Sequence, residues 1–268
     1  MLAGNWNTDS QVTDTIPSSG VRGSICLPSR LSDRYYVARQ LWLQIENIAG
    51  MYIRPRRKGV LLDFGCGDQP YRQFLEPSVL QYIGADSALN DHRDVEIRED
   101  GTVPIVDESV DFVLSTQVLE HTPDPYRYLD ECNRVLKVGG LLILSTHGVW
   151  PYHPHPTDYW RWTAEGLKYV VNKEGFSIDY FEGILNLPAT GLHLFQDGIA
   201  NYIRKRHVLR HFERPFAAST QMVIALVDKH ILPKSRIRDA SVFVVVAVKM
   251  NHAQLQLGHV VLEGKGQL

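Results

Sequence analysis

A glycine-containing segment that directly follows an apolar run is the first place in the chain where residue types and spacing indicate chemistry. Residues 60–64 form a compact apolar run typical of a parallel strand buried on both faces, and Gly65 and Gly67 come directly after it. Two glycines allow the backbone to turn tightly and to approach a ligand without a Cβ atom in the way. Asp63 lies within the run, where a buried carboxylate requires a cationic or amide partner. The segment therefore predicts a ligand-binding loop at the carboxyl end of a strand.

A second acidic residue narrows the class of ligand. Asp86 follows the apolar run 82–85 and lies about twenty residues after Gly67, the spacing at which an acidic side chain accepts hydrogen bonds from a ribose diol. The dinucleotide-binding pattern G-x-G-x-x-G would require glycine at position 70, where this chain has Pro70. Without that glycine, close packing of a helix beneath a pyrophosphate is disfavoured. The pattern favours a cofactor that contains adenosine but no pyrophosphate.

The segment 147–162 carries the residues best suited to act on a second substrate. It follows the predicted strand 141–145, so it should lie at the same edge of the sheet as the glycine loop. Histidine is the side chain most easily poised as a base near neutral pH. The candidates for a general base are His147, His153 and His155. Neighbouring aromatic and charged side chains could stack on, and bind, a sugar or a flat ring. The predicted substrate-binding residues are Tyr152, Asp158, Tyr159, Trp160 and Arg161.

Two other interpretations of this segment stay open. Its prolines and tryptophans could serve only to make the loop rigid, with Asp158 and Arg161 paired to each other. A metal site formed by His153, His155 and Asp158 would be another way to activate a hydroxyl group. The proline between the two histidines would hold such ligands apart, so no metal is expected.

An alternation of short apolar runs and longer amphipathic segments must position these residues. The predicted strands are 60–64, 82–85, 110–114, 141–145, 176–184 and 241–250. Helical spacing of apolar residues predicts a leading helix over 32–53 and another over 125–137, which Gly139 and Gly140 stop. Thr163 can cap a further helix. This rhythm of strands and helices indicates an α/β sheet with right-handed crossovers.

The predicted domain organisation has three parts. Residues 1–57 form an N-terminal arm and helix, residues 58–250 form the main domain, and residues 251–268 form a C-terminal tail. Residues 190–238 are long for a connection in a compact domain, so a helical insertion or lid is expected there, before the last strand. Its basic group could bind a phosphorylated or nucleotide-linked substrate, or form a solvated helix face. The group consists of Arg204, Lys205, Arg206, Arg210 and Arg214.

Composition and charge argue against several classes of function. The chain has 268 residues, of which 44% are hydrophobic, and its formal net charge of −2 provides no global attraction to nucleic acid or to an anionic membrane. No run is long enough to span a bilayer as a helix, and no signal peptide is recognised. The cysteines Cys26, Cys66 and Cys132 contain no C-x-x-C pair, so neither a disulfide framework nor a thiolate zinc site is expected. The sequence predicts a cytoplasmic protein without a nucleic-acid partner, and a homodimer stays open.

Four segments, taken in order, resemble the class I S-adenosylmethionine-dependent methyltransferases. They are VLLDFGCGDQP (60–70), YIGADSA (82–88), DESVDFVLSTQVLEHTPDP (107–125) and RVLKVGGLLILSTHG (134–148). The resemblance covers roughly residues 58–184 together with the strand near 241–250. It implies a Rossmann-like, seven-stranded α/β sheet that is mostly parallel with an antiparallel last strand, with helices on both faces. The third and fourth segments resemble the branch that acts on small molecules and glycans, and H-P-x-P-x-D-Y-W-R at 153–161 is similar to a run in the glycan and natural-product enzymes.

The resemblance also implies roles for individual residues. The residues that would hold the methionine portion of S-adenosylmethionine are Asp63, Gly65, Cys66 and Gly67. Cys66 itself is expected to be a small buried filler. Asp86 and Ser87 would bind the ribose hydroxyls. The residues that would border the adenine or the sulfonium are Asp100, Gly101, Thr116, Gln117, Val118 and His121. Two alternatives stay open, because Asp100-Gly101 is also an ordinary turn dipeptide and Glu120 with His121 could simply cap the next helix.

The leading hypothesis is a methyltransferase that O-methylates a small molecule, a sugar or an intermediate of glycan or natural-product synthesis. Methyl transfer from a sulfonium mainly requires alignment of the two reactants, and a hydroxyl acceptor also benefits from a base. The alternatives are N- or carboxyl-methylation of a small metabolite, a nicotinamide-dependent oxidoreductase, and a non-catalytic homologue that only binds the cofactor. Methylation of a nucleic-acid base is disfavoured, because the Asn/Asp-Pro-Pro-aromatic run of those enzymes is replaced by residues 115–118, Ser-Thr-Gln-Val.

Overall fold

The computed structural model of this chain describes residues 27–56, 59–154, 157–206 and 208–251. Some of the predicted features lie outside the described residues. They are residues 1–26 of the N-terminal arm with Cys26, the candidate base His155, and residues 252–268 of the tail. The division into three parts stays a prediction.

Within the described ranges, seven strands form one mixed sheet. They are β1 (Val60–Phe64), β2 (Gln81–Asp86), β3 (Val95–Glu96), β4 (Val110–Thr116), β5 (Leu136–His147), β6 (Phe176–Ile184) and β7 (Val242–Lys249). Their order across the sheet is β3-β2-β1-β4-β5-β7-β6, and β7 runs antiparallel to both of its neighbours while the other pairs are parallel. The predicted fold class is confirmed. β3 was not predicted, because two residues are too few to show a pattern.

The described residues also form six α-helices, which pack around this sheet. They are α1 (Tyr35–Ile48), α2 (Arg72–Leu75), α3 (Pro125–Val135), α4 (Ala164–Lys173), α5 (Leu187–Arg204) and α6 (Glu213–His230). A π-helical turn continues α1 over Ala49–Ile53. Short 3-10 segments cover Arg54–Arg56, Glu76–Ser78, Leu119–His121, Arg210–Phe212 and Pro233–Ile237. Thr163 caps α4 as predicted, with its hydroxyl oxygen 3.1 Å from the Gly166 amide. No helix among these is both long and apolar enough to cross a membrane.

Helices cover both faces of the sheet, and each face has its own core. On one face α3 and α4 pack on the strands, in a cluster that includes Leu62, Phe64, Val113, Leu129, Leu142 and Leu167. On the other face α1, α5 and α6 pack, in a cluster that includes Ile45, Leu61, Phe112, Ile143, Ala189 and Ile224. Leu61 and Leu62 are neighbours that point to opposite faces and are both fully buried. This two-sided burial explains why β1 is a continuous apolar run.

The boundary between α3 and β5 differs from the prediction. The expected helix extended to Lys137 and was to be stopped by Gly139 and Gly140, but α3 ends earlier and β5 begins at Leu136. Leu136 is fully buried and pairs with Val110 of β4, so burial within the sheet outweighs the helical periodicity. Gly139 has a φ of +77°, and the register between β4 and β5 shifts over this stretch. The glycines therefore allow an irregular stretch within strand β5 rather than ending a helix.

The chain immediately before α1 ties α5 and α6 to each other. The backbone carbonyl of Asp33 accepts hydrogen bonds from Gln196 Nε2 of α5 and from Gln221 Nε2 of α6, both at 2.7 Å. Arg204, a member of the predicted basic group, pairs with the Asp33 carboxylate at 3.1 Å and with Glu213 at 3.0 Å. This arginine is therefore engaged within the fold. The contacts place the chain that enters α1 beside the region where the insertion is predicted.

Gly183 of β6 provides a test of the packing of β6 against the segment that precedes β7. A Cβ atom at this position would overlap the backbone carbonyl oxygen of Arg236 and lie 2.6 Å from the Cβ of Ala240. Gly183→Ala should therefore lower the free energy of unfolding by about 1–3 kcal/mol, the usual cost of overpacking, as measured by urea denaturation. Gly191→Ala on α5 is the control, because a Cβ atom there meets nothing within 4 Å and alanine is the better helix former. Equal effects of the two substitutions would contradict this description.

Candidate active site

The glycine loop after β1 is held by β2 and by the segment after β4. Gly65 and Gly67 have positive φ angles of +83° and +50°, which favour glycine. The amides of Gly65 and Cys66 donate to the carbonyl oxygen of Ala85 at 2.8 and 3.0 Å. A Cβ atom on Gly65 would overlap the side chain of Val118, whereas one on Gly67 would meet no atom within 4 Å. The loop is therefore packed on one side and open at Gly67.

The carboxylate of Asp86 fixes the far end of this loop. Its Oδ2 accepts hydrogen bonds from the Gly67 amide and from Asn90 Nδ2, both at 2.8 Å, and its Oδ1 accepts from the Ser87 amide at 2.7 Å. Asn90 Nδ2 also donates to the carbonyl oxygen of Gly67 at 2.8 Å. Sequence reasoning missed Asn90, whose only signal was its position in the loop after β2. A carboxylate offers about four acceptor sites, so Asp86 keeps capacity for a ligand hydroxyl.

Asp63 contributes a buried carboxylate beneath the loop. The hydroxyl of Tyr82 donates to its Oδ2, whereas its equally buried Oδ1 has no hydrogen-bond partner among the described residues. Burial raises the pKa of Asp63 to about 7, and the hydrogen bond from Tyr82 opposes this rise. A positively charged ligand group beside Oδ1 would supply the missing partner and favour the ionised carboxylate. The site therefore fits a cofactor that carries an amine.

Cys66 lies in the same loop. Burial raises the pKa of its thiol to about 12, and its Sγ lies 3.8 Å from Gln69 Nε2. The thiolate is therefore not populated near neutral pH. These contacts agree with a small buried filler rather than a reactive thiol.

Asp100 and Gly101 form a tight turn after β3. Asp100 Oδ1 accepts from the amide of Thr102 at 3.0 Å and from its hydroxyl at 2.7 Å, and Gly101 has a φ of +85°. These contacts are those of an ordinary turn. A role beside adenine stays a prediction.

The segment after β4 turns back over the glycine loop. Gln117 has a φ of +57°, its amide donates to the carbonyl oxygen of Ser145 at 2.9 Å, and its Nε2 lies 3.1 Å from Ser145 Oγ. Thr116 pairs with Ser145 in the parallel ladder of β4 and β5. This left-handed turn brings Val118 against Gly65 and leads into the 3-10 segment that carries His121.

The imidazole of His121 has a fixed orientation. Its Nδ1 lies 2.7 Å from the backbone carbonyl oxygen of Thr157. A carbonyl oxygen only accepts, so Nδ1 must carry the proton, and Nε2 of the neutral ring is then a proton acceptor. The loop that supplies this carbonyl is itself held nearby, since the amides of Tyr159 and Trp160 donate to the carbonyl of Glu120 at 2.9 and 3.2 Å. His121 therefore combines a set tautomer with partial exposure to solvent.

His153 has the opposite tautomer. Its Nδ1 lies 3.3 Å from Nη1 of Arg34, the residue that precedes α1. A guanidinium only donates, so Nδ1 of His153 accepts and the proton of the neutral ring lies on Nε2. The His153 ring centroid lies 5.8 Å from that of His121 and 6.0 Å from that of His147. The three imidazoles are therefore neighbours.

Asp158 and Arg161 stabilise the segment 147–162 after β5, here called the histidine-rich loop, of which the structure describes residues 147–154 and 157–162. They form a two-fold ion pair that includes an Nη1–Oδ1 distance of 2.6 Å, and this pairing holds the pKa of Asp158 down at about 2. Asp158 also accepts from the His153 amide at 2.7 Å, and the guanidinium of Arg161 donates to the carbonyls of Trp150 and Pro151 at 3.0 and 2.6 Å. All of these partners lie in the loop itself. The loop-stiffening interpretation accounts for them, and contact with an acceptor stays a prediction.

His147 lies at the end of β5 and is buried. It is 3% exposed and stacks on Trp150 with 4.5 Å between ring centroids and 6° between planes. Burial lowers the pKa of His147 to about 2, and the nearby Arg161 adds to this effect. Its Nδ1 lies 3.1 Å from Oε1 of Glu120, but the two atoms do not form a hydrogen bond. The other oxygen, Oε2, accepts from the hydroxyl of Thr146 at 2.8 Å.

The remaining predicted substrate-binding residues line the exposed side of the loop. Tyr152, Tyr159 and Trp160 all present exposed rings, and Trp160 stacks near Trp162 with 5.9 Å between ring centroids. Within the described residues, no group of three histidine, cysteine or acidic side chains could hold a metal ion. The conceivable trio with His155 is not covered by this result, since His155 lies outside those residues.

Curated relatives of this chain are methyltransferases. An uncharacterized methyltransferase from Mycobacteroides abscessus is 33% identical over 162 residues, which are 53% of this chain and 60% of that protein. A probable S-adenosylmethionine-dependent methyltransferase from Mycolicibacterium smegmatis is 23% identical over 194 residues, which are 66% of this chain and 72% of that protein. The chain thus spans about three fifths of the length of the first of these relatives.

Solved structures share the fold at low sequence identity. A candidate sarcosine dimethylglycine methyltransferase from Galdieria sulphuraria superposes with a TM-score of 0.52 at 14% identity, over 85% of this chain and 94% of that one. A chain of the Haloferax volcanii complex between the Trm112 activator and a methyltransferase gives 0.52 at 18% identity, over 82% and 94%. The [4+2]-cyclase SpnF gives 0.50 at 21% identity, over 81% and 82%. The fold is therefore shared with proteins of different activities.

A family model described as a methyltransferase domain matches this chain and shows the family to which it belongs. It matches residues 34–173, from the arginine beside His153 to the end of α4. The match includes the glycine loop, Asp86, His121 and the histidine-rich loop, and it spans just over half of the chain. This protein belongs to the methyltransferase domain family.

Proposed function

We propose that this protein transfers the methyl group of S-adenosylmethionine to a hydroxyl group of a small molecule or sugar. The observation that carries the proposal is His121, whose Nδ1 is engaged by the Thr157 carbonyl and whose Nε2 is therefore a proton acceptor at the sheet edge of the glycine loop. A hydroxyl acceptor benefits from such a base, whereas an amine or a carboxylate acceptor does not require one. The orientation of this imidazole thus favours O-methylation.

The residues at this edge fit S-adenosylmethionine in four ways. The remaining acceptor capacity of Asp86 would bind the ribose hydroxyls, and the unpartnered Oδ1 of Asp63 would receive the amine. The open side of Gly67 leaves room for the ligand, and residues 116–118 would border the sulfonium. When bound, the cofactor supplies an electrophilic methyl group on a positively charged sulfur. The chain's own part is to align the acceptor and to remove its proton.

His121 suits the role of base better than the histidines predicted for it. His147 is buried and stays neutral with a strongly lowered pKa, so it does not exchange protons readily near neutral pH. His153 accepts from Arg34 at Nδ1, so the proton of its neutral ring lies on Nε2, and this nitrogen is then a donor rather than a base. His155 lies outside the described residues. We therefore assign proton removal to His121.

The finer features predicted from the sequence stay predictions. These are the sugar or glycan nature of the acceptor, a cytoplasmic location, a homodimer and the lid role of residues 190–238. N- and carboxyl-methylation remain outcomes of the tests below.

Asp86→Ala should weaken binding of S-adenosylhomocysteine by about 10- to 100-fold, corresponding to roughly 1–3 kcal/mol. The substitution removes both the predicted ribose acceptor and the carboxylate that holds the Gly67 amide. Titration calorimetry measures the effect. Asp91→Ala is the control, since Asp91 is an exposed aspartate in the loop after β2. Equal affinities of wild type and Asp86→Ala would contradict the cofactor assignment.

Asp63→Asn should change how stability depends on pH. In the folded chain the pKa of Asp63 is about 7, above its ordinary value of 3.8, so wild type loses free energy of unfolding as the pH rises between these values. The neutral asparagine should escape this loss, by on the order of 2–4 kcal/mol between pH 4.5 and 8. Urea denaturation at both pH values measures the difference, with Asp91→Asn as the exposed control. The same pH dependence in wild type and Asp63→Asn would rule out the protonated, buried carboxyl.

His121→Gln should lower kcat by about 10²- to 10⁴-fold with the first acceptor that supports turnover. Affinity for S-adenosylhomocysteine should stay within about twofold, because the substitution removes the proton acceptor and leaves the glycine loop unchanged. Release of S-adenosylhomocysteine measures turnover. His92→Gln, at an exposed histidine on the loop after β2, is the matched control. Full activity of His121→Gln would point instead to an amine or carboxylate acceptor.

A further inference from the structure

Buried polar atoms without partners are concentrated in one part of the molecule. Among the described residues, eight buried side-chain nitrogen and oxygen atoms have no hydrogen-bond partner. Five of them belong to four neighbouring side chains, here called the orphan cluster: Glu120, His147, Trp150 and His193. Two of the five, Glu120 Oε1 and His147 Nδ1, contact each other at 3.1 Å without hydrogen-bond geometry, whereas the other three, on Trp150 and His193, lack any such contact with each other. Buried polar groups are normally paired, because an unpaired one has lost its hydrogen bonds to water without a replacement. A concentration of such atoms in one place indicates a position for polar groups from outside the chain.

The orphan cluster is contiguous and joins three parts of the fold. His147 at the end of β5 stacks on Trp150, and the Trp150 ring centroid lies 4.8 Å from that of His193 on α5. Glu120, on the 3-10 segment after β4, places Oε1 3.1 Å from Nδ1 of His147. His193 is 1% exposed, and both of its ring nitrogens lack partners. Helix α5 therefore contributes a doubly unsatisfied imidazole to this cluster.

The orphan cluster lies beside the proposed base. The ring centroid of His153 lies 6.0 Å from that of His147, which belongs to the cluster, and 5.8 Å from that of His121. A molecule of sugar size that presents one hydroxyl to His121 would have its other groups within reach of the cluster. Because His193 and Glu120 are enclosed, such a molecule enters only when α5 or the loop that carries Trp150 moves.

The cluster is matched to uncharged groups. Burial lowers the pKa values of His147 and His193, so both imidazoles are neutral, and it raises the pKa of Glu120, which disfavours the ionised carboxylate. The neutral imidazole of His193 offers one donor and one acceptor, His147 offers its Nδ1, and the indole of Trp150 offers a donor. A hydroxyl group can satisfy either kind of atom. An ion buried against these groups would lack a counter-charge and lose its hydration.

We propose that the orphan cluster binds the non-reacting hydroxyl groups of an uncharged, hydroxyl-rich acceptor, and that His193 of α5 determines this specificity. The proposal rests on the proposed function, because it places these hydroxyls on the methyl acceptor. It assigns the region between β6 and β7 a direct part in acceptor recognition. An enclosed water molecule is the competing occupant.

The first experiment uses probes and requires no known acceptor. The chain, labelled with ¹⁵N at histidine and saturated with S-adenosylhomocysteine, is titrated with methyl glucoside, glucuronate and glucosamine while the imidazole nitrogen signals are followed by NMR. The neutral glycoside should shift the signals of His193, and the charged sugars should not. Signals that stay unmoved with all three probes, as an enclosed water would leave them, or that respond best to a charged sugar, would overturn the proposal. Failure to bind S-adenosylhomocysteine at all would instead refute the proposed function.

The second experiment separates binding from structure. His193→Leu removes two unpartnered buried nitrogens, so the melting temperature of the free protein should stay the same or rise by a few degrees. The KM for an acceptor should rise at least tenfold with a smaller change in kcat, while affinity for S-adenosylhomocysteine stays within twofold. His193→Gln, which keeps a donor and an acceptor, should restore much of the loss.

A matched control removes an orphan nitrogen elsewhere. Trp42→Phe deletes the unpartnered indole nitrogen of α1, outside the cluster, and should leave KM unchanged. A wild-type KM in His193→Leu, or an equal rise in Trp42→Phe, would overturn the proposal. If His193→Leu fails to fold, His193→Gln and the NMR titration decide the question.

Discussion

The fold and the site both depend on the close approach of the loops that follow β1 and β4. These strands are neighbours, and the connections that leave them run to opposite sides of the sheet, which creates the crevice where open α/β sheets bind ligands. Gly65 lacks a Cβ atom, so Val118 can pack directly on the glycine loop. His121 follows three residues later, on the short helical segment that this contact positions. The glycine loop and the proposed base are thus brought together by the backbone before any ligand binds.

The features that could be predicted from the sequence are those determined by neighbouring residues. β1 occupies the predicted residues 60–64, because burial on both faces requires an uninterrupted apolar run. Thr163 could be predicted as a cap, because capping depends only on the first turn of its own helix. The spacing of Asp86 predicted a ribose-binding role, which stays a prediction; the structure shows its carboxylate beside the glycine loop, where it accepts from the Gly67 amide. In these cases the sequence pattern and the contact that it predicts involve residues of the same short stretch or of adjacent strands.

The features that escaped prediction depend on contacts between distant parts of the chain. The tautomer of His121 is set by a carbonyl 36 residues away, and that of His153 by an arginine 119 residues away. The burial of His147, which lowers its pKa, likewise cannot be predicted from a segment rich in histidine. His193 belongs to no sequence motif, and only its contact with Trp150 in the folded chain links it to the site. Sequence patterns identify which residues can perform chemistry, and tertiary contacts decide their protonation.

The hydrogen bonds to the Asp33 carbonyl have a consequence for how such proteins diversify. Gln196 and Gln221 hold this carbonyl, and the next residue, Arg34, contacts His153. Helices α5 and α6 are therefore not an independent module that can be exchanged alone. A chimera that imports them from a relative would leave the carbonyl and the carboxylate of Asp33 without their partners, Gln196, Gln221 and Arg204, unless the stretch that enters α1 came with them. Inheritance of a new acceptor preference would thus require two stretches, far apart in the gene, to change together.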